Sequence, residues 1–495
     1  MKKIKIFAVI LSILLLLLLI ASSCGTNEDS MNDNKQSVSG ESVSEQETPA
    51  EPLGRFSRID PNLPEQDFEG YTFNIASWFV AIWTNTPGGG NDGSDIWVEE
   101  EIGDALNDAV YRRNKTIEEK YNISINMIRM DINDINTAVK NTVAAGDNAY
   151  DLVYQRLGNF GTLIQAGYLT DLYGVPHLDF DKPWWDKRSV DQQSIYGKSF
   201  IAASDLIMTD KNSVSCVLFN KQLAQDYAFD NLYEVVKRGD WTIDYLTEIC
   251  KDKYKDLNGN GRVDANDFIP IDGERLSSMI LFNGAGSTFA LKDEDDLPYS
   301  SFMSERNIDI CNKILDLMYD TSLYVNTYGE TFEKDNSIFY IHQINDVIRF
   351  RTLETDFGVL PIPKYEKTQE NYYSNVSIHQ SGLLSIPITA PDIERTGIIL
   401  EALSAESRFI VMPAYYDLAL KSKYLRDDES EDMLDILFNS RIYDLAEFYN
   451  FGGLPWQWTS IYDTKGRDIV SMYEKAEGAI QKDIEKLIKT IQSLD

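Results

Sequence analysis

The chain has 495 residues, of which 43% are hydrophobic and 12% aromatic, enough apolar material for more than one hydrophobic core. Its formal net charge of −33 argues against nucleic acid and against anionic lipid head groups as partners, because their phosphates would be repelled. The four cysteines form no CxxC pair, which argues against a zinc site and a disulfide framework. Cys216, Cys250 and Cys311 are expected to be buried free thiols, although an oxidising exterior would permit one disulfide.

The first 24 residues have the pattern of a signal peptide. Lysines at positions 2, 3 and 5 precede an apolar run from Phe7 to Ile20, and small residues lead to Cys24. This run is shorter than the roughly 20 residues of a membrane-spanning helix, which favours cleavage. The stretch resembles the bacterial lipobox, with Ala21 in place of the usual leucine. The resemblance implies lipidation of Cys24 and anchoring by two acyl chains; an ordinary signal peptide with an incidental cysteine is the alternative.

Residues 25–67 are predicted to be a disordered tether. They are rich in Ser, Glu, Asn and Pro and almost free of large apolar side chains. Such a segment cannot bury enough surface to offset the entropy lost on ordering. It would connect a membrane anchor flexibly to a folded body that begins near residue 68.

Strands and helices are predicted to alternate from Tyr71 onward. The first strand is followed by a helix over 102–121, a strand over 123–130, a helix over 135–145 and an apolar strand over 151–154. This order predicts an α/β fold with a parallel sheet and right-handed crossovers.

A second set of elements is predicted in the other half of the chain. Strands are expected near 214–220 and over 356–363, and a helical stretch is expected over 338–350. Helices then dominate from about 392 to 450 and from 467 to the end.

The loop DLNGNGRVDAND, residues 256–267, has the spacing of a calcium-binding loop of the EF-hand type. Position 12 carries aspartate in place of the usual glutamate, and position 6 is Gly261, where the loop needs a sharp turn. A Gly/Asn-rich turn that binds nothing is the alternative. A bound Ca²⁺ would have a structural role, and its candidate ligands are Asp256, Asn258, Asn260, Asp264, Asp267 and the backbone carbonyl of Arg262.

Several segments, in chain order, resemble the extracellular solute-binding proteins of carbohydrate ABC importers. The segments are YDLVYQRLGNFGTLIQAGYLTDLYG, YGKSFIAASD, SVSCVLFNKQLAQDY, GDWTIDYLTEICKDKYKDLNGNGRVDANDF, DFGVLPIPKYE and the strand over 381–387. The C-terminal region from MPAYYDLALKSKYL onward is similar to large clostridial members, which implies a Gram-positive host.

This resemblance implies a type II periplasmic-binding-protein-like fold, in which two lobes close on a ligand about a hinge. Each lobe would be a mostly parallel sheet flanked by helices. The predicted division places 68–210 and 336–388 in lobe 1, and 211–335 and 389–495 in lobe 2. Ligands of such folds bind at the carboxyl ends of parallel strands.

Aromatic rings and planar polar groups at matching positions are the candidate ligand contacts, because sugar rings stack on aromatics through their apolar faces. Each tryptophan could equally be ordinary packing, and Trp184, Trp185 and Trp241 are assigned to packing. The candidates are Trp78 and Trp83 after the first strand, Tyr154 and Gln155 at the end of the third, Asp205 near the crossing between lobes, and Trp456 and Trp458 from lobe 2.

The resulting hypothesis is a monomeric, lipid-anchored binding protein on the outer face of the cell membrane. It would deliver a sugar or oligosaccharide to ABC permease subunits without catalysing a reaction. A peptide or another polar solute is the alternative ligand. A secreted glycoside hydrolase is a weaker alternative, because no carboxylate pair stands out, and a sensor that never feeds a transporter is another.

Overall fold

A computed structural model describes residues 54–80, 91–350, 353–421 and 428–494. The predicted signal peptide with Cys24, the predicted tether up to residue 53, and Trp83 lie outside these residues. The residues from Gly54 onward form one compact unit. In the part of the chain that is described, no helix is both long and apolar enough to cross a membrane.

The strands range from two to nine residues and contribute to two main sheets and three short pairs. They are β1 (Tyr71–Phe79), β2 (Ile123–Asp131), β3 (Leu152–Arg156), β4 (Trp185–Asp186), β5 (Ala203–Ser204), β6 (Ser215–Asn220), β7 (Ile271–Gly273), β8 (Ala290–Lys292), β9 (Pro298–Ser300), β10 (Tyr324–Asn326), β11 (Phe339–Gln343), β12 (Phe357–Leu360), β13 (Ser374–Asn375), β14 (Gly382–Ser385) and β15 (Arg441–Ile442).

The helices lie mainly between strands in the first part of the chain and predominate after β14, where β15 is the strand present among the described residues. They are α1 (Ala105–Tyr121), α2 (Ile135–Ala145), α3 (Phe160–Gln165), α4 (Lys187–Asp191), α5 (Thr209–Asn212), α6 (Lys221–Asp226), α7 (Leu232–Lys237), α8 (Ile243–Cys250), α9 (Ser277–Gly284), α10 (Glu305–Tyr319), α11 (Glu330–Glu333), α12 (Asp346–Arg349), α13 (Ile393–Lys421), α14 (Asp428–Asn439), α15 (Leu445–Tyr449), α16 (Leu454–Thr464) and α17 (Ile469–Gln492).

The first sheet has the strand order β14-β3-β1-β2. Strand β1 is parallel to both β2 and β3, and β14 is antiparallel to β3. The predicted alternation of strand and helix is therefore confirmed. Local chemistry sets the helix ends: the Asp104 side chain accepts hydrogen bonds from the first turn of α1, and Gly146 ends α2 with a positive φ of 71°.

The second sheet has the strand order β10-β7-β11-β6-β12. Strand β11 is parallel to β7 and antiparallel to β6, and β12 is also antiparallel to β6. The predicted helical stretch over 338–350 is wrong, since its first part is the buried strand β11 and the helix is confined to the short α12. An apolar run of this length does not distinguish a buried strand from a buried helix.

The predicted lobe boundaries also require correction. Strands β11 and β12 fall within 336–388, assigned to lobe 1, yet they pair in the second sheet. Helix α13 falls within 389–495, assigned to lobe 2, yet it packs on α1 beside the first sheet. The Arg113 guanidinium of α1 donates to the Ser407 hydroxyl of α13 at 2.9 Å inside that contact. Chain order alone does not show which sheet a late segment returns to.

Residues 54–67 belong to the folded body, although the sequence predicts them as the end of the tether. Phe56 packs against Tyr416 of α13 with ring centroids 5.1 Å apart. Arg58 donates two hydrogen bonds to Glu406 of α13 at 2.5 and 2.6 Å, and Arg55 pairs with Glu431 of α14 at 3.3 Å. These contacts give a polar segment, which lacks strand or helix, a fixed position.

The cysteines and the tryptophans assigned to packing behave as expected. Cys216, Cys250 and Cys311 are buried free thiols. Trp184, Trp185 and Trp241 are buried. The indole of Trp241 donates to the Pro361 carbonyl at 2.8 Å.

Candidate functional site

The candidate site lies where the first sheet ends at β3. The segment after β3 is held against residues 378–381, which lead into β14. The Leu157 amide donates to the Ser381 carbonyl at 2.8 Å, and the Gly158 amide donates to the Ile378 carbonyl at 3.0 Å. These bonds place His379 beside the carboxyl end of β3, the position at which α/β sheets bind ligands.

Two crossing segments bring the second sheet to the same place. The Ile344 amide after β11 donates to the Val214 carbonyl at 3.0 Å, and the Ser377 amide donates to the Ser213 carbonyl at 3.1 Å. The ends of β3 and β11 are thus linked through residues 213–214 and 377–381. The side chains at this junction come from both sheets, as a binding cleft between two lobes requires.

A buried carboxylate, Glu274, follows β7 at this junction. Its Oε1 lies 3.2 Å from Nε2 of His342 on β11. The other ring nitrogen of His342 bonds Asp346, which also lies 3.6 Å from the Arg349 guanidinium. Burial lowers the pKa of His342, but the two carboxylates outweigh burial and raise it to about 10. His342 is therefore an imidazolium at neutral pH and fixes the orientation of Glu274.

An aromatic pair, Trp456 and His379, stands next to these charges. Their ring centroids are 5.2 Å apart with an interplanar angle of 49°, and both residues are half-buried. The Nε2 atom of His379 is buried without a hydrogen-bond partner among the described residues. Burial and the nearby charge of Arg156 lower the pKa of His379 to about 4, against the opposing effect of Glu274. His379 is a neutral imidazole at the pH of most extracellular fluids.

Arg156 is the last residue of β3 and contributes a further cation to the junction. Its Nη2 donates to the Asn159 side chain at 2.8 Å, while its Nε is buried and has no hydrogen-bond partner in the described structure. Asn136 donates to the Asn159 carbonyl at 2.8 Å and accepts from the Gln155 amide at 2.9 Å. This network of side chains fixes the segment that follows Arg156.

The predicted contacts on β1 and β3 are behind the site and not in it. Tyr154 and Trp78 are almost fully buried, and their rings meet edge to face at 6.3 Å. The Tyr154 hydroxyl bonds Asp95 at 2.8 Å and Thr209 at 2.7 Å. Gln155 is fully buried in the amide network. In this structure these side chains support the end of β3 and offer no surface to a ligand.

Two further predicted contacts also have structural roles. Asp205 is buried and pairs with Arg408 of α13 at 2.9 Å and with Lys211 at 3.5 Å, so its carboxylate already has cationic partners. Trp458 has no exposed surface and packs at 6.3 Å from the rings of Phe282 and Phe302. Of the two tryptophans predicted on lobe 2, only Trp456 has surface available at the junction.

In the predicted calcium loop, side-chain oxygens accept hydrogen bonds from backbone amides of the same loop. Gly259 and Gly261 have φ of 69° and 70°, a conformation in which glycine is favoured. Asp256 accepts from both of their amides, at 2.7 and 2.8 Å. No group of three or more His, Cys, Asp or Glu side chains is arranged to hold a metal ion within the described ranges. The remaining loop oxygens accept internal hydrogen bonds at Asn258, Asn260, Asp264 and Asp267, and no hydrogen bond to the Arg262 carbonyl is present there.

Four residues at the junction were not predicted from the sequence: Arg156, Glu274, His342 and His379. Arg156 could have been predicted, because it follows Tyr154 and Gln155 at the end of a strand that the pattern identifies. Glu274 and His342 follow or lie in short strands that periodicity does not separate from their surroundings. His379 lies in a loop that only the tertiary structure brings to β3.

The sequence matches one family model, described as bacterial extracellular solute-binding protein, over residues 113–395, more than half of the chain. Comparison with curated proteins gives no match.

Solved structures share the fold at low identity. An ABC substrate-binding protein from Listeria monocytogenes in complex with cycloalternan is 14% identical, with a TM-score of 0.51 over 86% of this chain and 99% of that one. The GacH receptor of Streptomyces glaucescens, also solved with acarbose, is 12% identical, with a TM-score of 0.52 over 85% and 99%. The cyclic α-maltosyl-1,6-maltose binding protein from Arthrobacter globiformis is 13% identical, with a TM-score of 0.56 over 84% and 99%. These likenesses show a two-lobe type II solute-binding fold.

Proposed function

The chain belongs to the bacterial extracellular solute-binding proteins, and we propose that it captures a sugar or oligosaccharide for an ABC importer. The ligand occupies the junction between the two sheets and is enclosed when the lobes close about the crossing segments. The protein acts as a monomer and passes the ligand to permease subunits. Its role is binding, in keeping with a family of binding proteins.

The observation that carries this proposal is the half-buried Trp456 ring beside His379, at the junction to which both sheets contribute. A pyranose offers an apolar face for stacking and hydroxyl groups for planar acceptors. Glu274 is buried and held in one orientation by His342, so it contributes a fixed negative charge near the site. Of the three proteins with the same fold described above, one was solved with cycloalternan, one was solved with acarbose, and one is a cyclic α-maltosyl-1,6-maltose binding protein.

The test is ligand-induced stabilisation. Purified protein is titrated with neutral and acidic oligosaccharides, with short peptides and amino acids as the alternative class, and the melting temperature is recorded. A true ligand raises the melting temperature with concentration, because it binds only the folded state. Stabilisation by peptides alone would replace the carbohydrate with a peptide ligand. Release of reducing ends from an oligosaccharide would instead favour a hydrolase.

The matched variants are Trp456→Ala and Phe409→Ala. Phe409 is a partly exposed aromatic on α13, where Arg58 covers its ring at 4.1 Å. Loss of stacking at Trp456 should weaken carbohydrate binding about tenfold, corresponding to ~1.4 kcal/mol. Phe409→Ala should bind as the wild type does. Equal affinity in both variants would remove Trp456 from the site.

The family places the protein outside the cytoplasm, and we propose a lipid anchor at Cys24. The sequence pattern around Cys24 supports this anchor. Cells expressing the wild type should retain the protein in the membrane fraction, and Cys24→Ser should release it into the medium. Retention of the serine variant would contradict lipidation at this residue.

We also propose that the loop at 256–267 binds Ca²⁺ as a structural ion. Carboxylate, amide and carbonyl oxygens are the donors that Ca²⁺ prefers, and the glycine turns already bend the loop around Asp256. Millimolar Ca²⁺ should raise the melting temperature, and a chelator should reverse the change. The double variant Asp256→Ala and Asp264→Ala should lose this response. An equal response to Mg²⁺, or none to Ca²⁺, would refute the proposal.

A further inference from the structure

The positive charge of Arg156 has no carboxylate partner among the described residues. Among the described residues it has no salt bridge, and its one side-chain hydrogen bond is to the neutral Asn159. Its Nε is buried and unpartnered. Burial lowers the pKa of its guanidinium, which shows that the surroundings do not stabilise the charge. This is unexpected in a chain with 79 acidic residues.

Arg113, which is more deeply buried than the half-buried Arg156, shows how this protein satisfies a guanidinium whose role is structural. Arg113 is completely buried, and its guanidinium donates to the carbonyls of Asp95 and Ile96 at 3.0 and 2.6 Å. It also donates to a side-chain amide oxygen and a hydroxyl. Arg113 therefore has its donors filled by protein oxygens, whereas Arg156 uses one of its five N–H groups.

The other charged groups at the junction are engaged in ion pairs. Glu274, Asp346 and Glu333 carry three negative charges, and His342 and Arg349 carry two positive charges, within one chain of contacts. Arg275 lies 3.5 Å from Asp463. Arg156, whose charge acts on His379, is the cation at this place that has no ion pair among the described residues.

We propose, on the basis of the carbohydrate function above, that the ligand is an acidic sugar whose carboxylate pairs with Arg156. A guanidinium fork and a carboxylate match in geometry and form two parallel, charge-assisted hydrogen bonds. The hydrogen bond from Nη2 to Asn159 fixes the plane of the guanidinium in which such a pair would form. The unpartnered Nε2 of His379 supplies a further polar contact next to the carboxylate. Uronic acid oligosaccharides are the ligands of this chemistry.

The experiment compares ligands that differ only in charge. Affinities are measured by calorimetry for oligogalacturonides and their methyl esters, and for xylo-oligosaccharides with and without a glucuronate branch. The acid of at least one pair should bind tenfold or more tightly than its neutral partner, and added salt should reduce the difference. Binding of neutral sugars without any preference for acids would overturn this inference and leave the proposed function standing. If neither acidic nor neutral sugars bind, both this inference and the proposed carbohydrate function are overturned.

Variants then assign the preference to Arg156. Arg156→Gln should abolish the difference between acid and ester while retaining ester binding, and Arg156→Lys should keep part of it. The control is Lys482→Gln, which removes one positive charge from the exposed side of α17 and should bind as the wild type does. A preference for acids that survives in Arg156→Gln would place the carboxylate elsewhere. If Arg156→Gln does not fold, the preference for acids in Arg156→Lys and its dependence on salt provide the test. An undiminished preference in Arg156→Lys would contradict the role of Arg156.

Discussion

Nε2 of His342 lies 3.2 Å from Oε1 of Glu274, so that β11 holds in place the carboxylate that follows β7. Both groups are far apart in sequence and meet only because β7 and β11 are parallel neighbours in the second sheet. The contact explains how a buried charge at the site can be stable. It also makes the stability of the protein sensitive to pH.

The first prediction concerns this pH dependence. The pKa of His342 is raised from 6.5 to about 10 in the folded state. A raised histidine pKa gives stability that is complete below the unfolded pKa and disappears as the pH rises through the folded one. His342→Asn should therefore differ most from the wild type near pH 6, and the difference should shrink toward pH 10. Unfolding free energies from denaturant titrations provide the measurement, and a constant difference would contradict the prediction.

The second prediction concerns the segment at 54–67. A chain that begins at Gly54 should unfold like one that begins at Cys24, because it retains the contacts of Phe56 and Arg58 with α13. A chain that begins at Gly70 should lose about 3 kcal/mol, since several partly buried apolar side chains and the ion pairs are removed. Thermal and denaturant unfolding of the two truncations gives the comparison. Equal stability would mean that residues 54–67 are a tether after all.

The third prediction concerns Glu401 of α13. Its two oxygens accept from the indoles of Trp184 and Trp185 at 3.0 and 2.8 Å. Glu401→Gln should cost about 1–3 kcal/mol, because an amide NH₂ would face one indole N–H. Burial raises the pKa of Glu401 to about 7, so wild-type stability falls between pH 4.5 and 7, where the unfolded state has lost the proton that the folded state keeps. The cost of the substitution should accordingly be larger at pH 5 than at pH 8, as measured by tryptophan fluorescence during unfolding.

The fourth prediction compares two glycines, one closely surrounded by side chains and one with open space at its Cβ position. A Cβ on Gly382 of β14 would lie 2.5 Å from Cε2 of Tyr154 and 2.7 Å from Nε1 of Trp78. Gly382→Ala should destabilise the first sheet by about 1–3 kcal/mol. Gly478 lies inside α17 with nothing within 4 Å of its Cβ position, so Gly478→Ala should stabilise the protein by about 0.5–1 kcal/mol. Melting temperatures that move in the same direction would contradict this pair of expectations.

Local patterns explain which parts of the fold were predictable. The alternation around Tyr71, the amphipathic run that ends at Tyr121 and the glycine at 146 each act within one element, and the structure confirms all three. Strand β11 was mistaken for a helix because it is buried on both faces and so has no period of two. The segment at 54–67 was mistaken for tether because its stability comes from α13, more than 340 residues away.

The sequence by itself determined the family resemblance, the alternation of the first sheet and the acidic character of the chain, because these depend on residue type and near spacing. The tertiary structure decided the site. Trp456, His379, Arg156 and Glu274 lie in four separate stretches and meet only where the ends of the two sheets are joined. The lack of an ion pair at Arg156 among the described residues is likewise invisible in a sequence, since it depends on which carboxylates come within a few ångströms of the guanidinium.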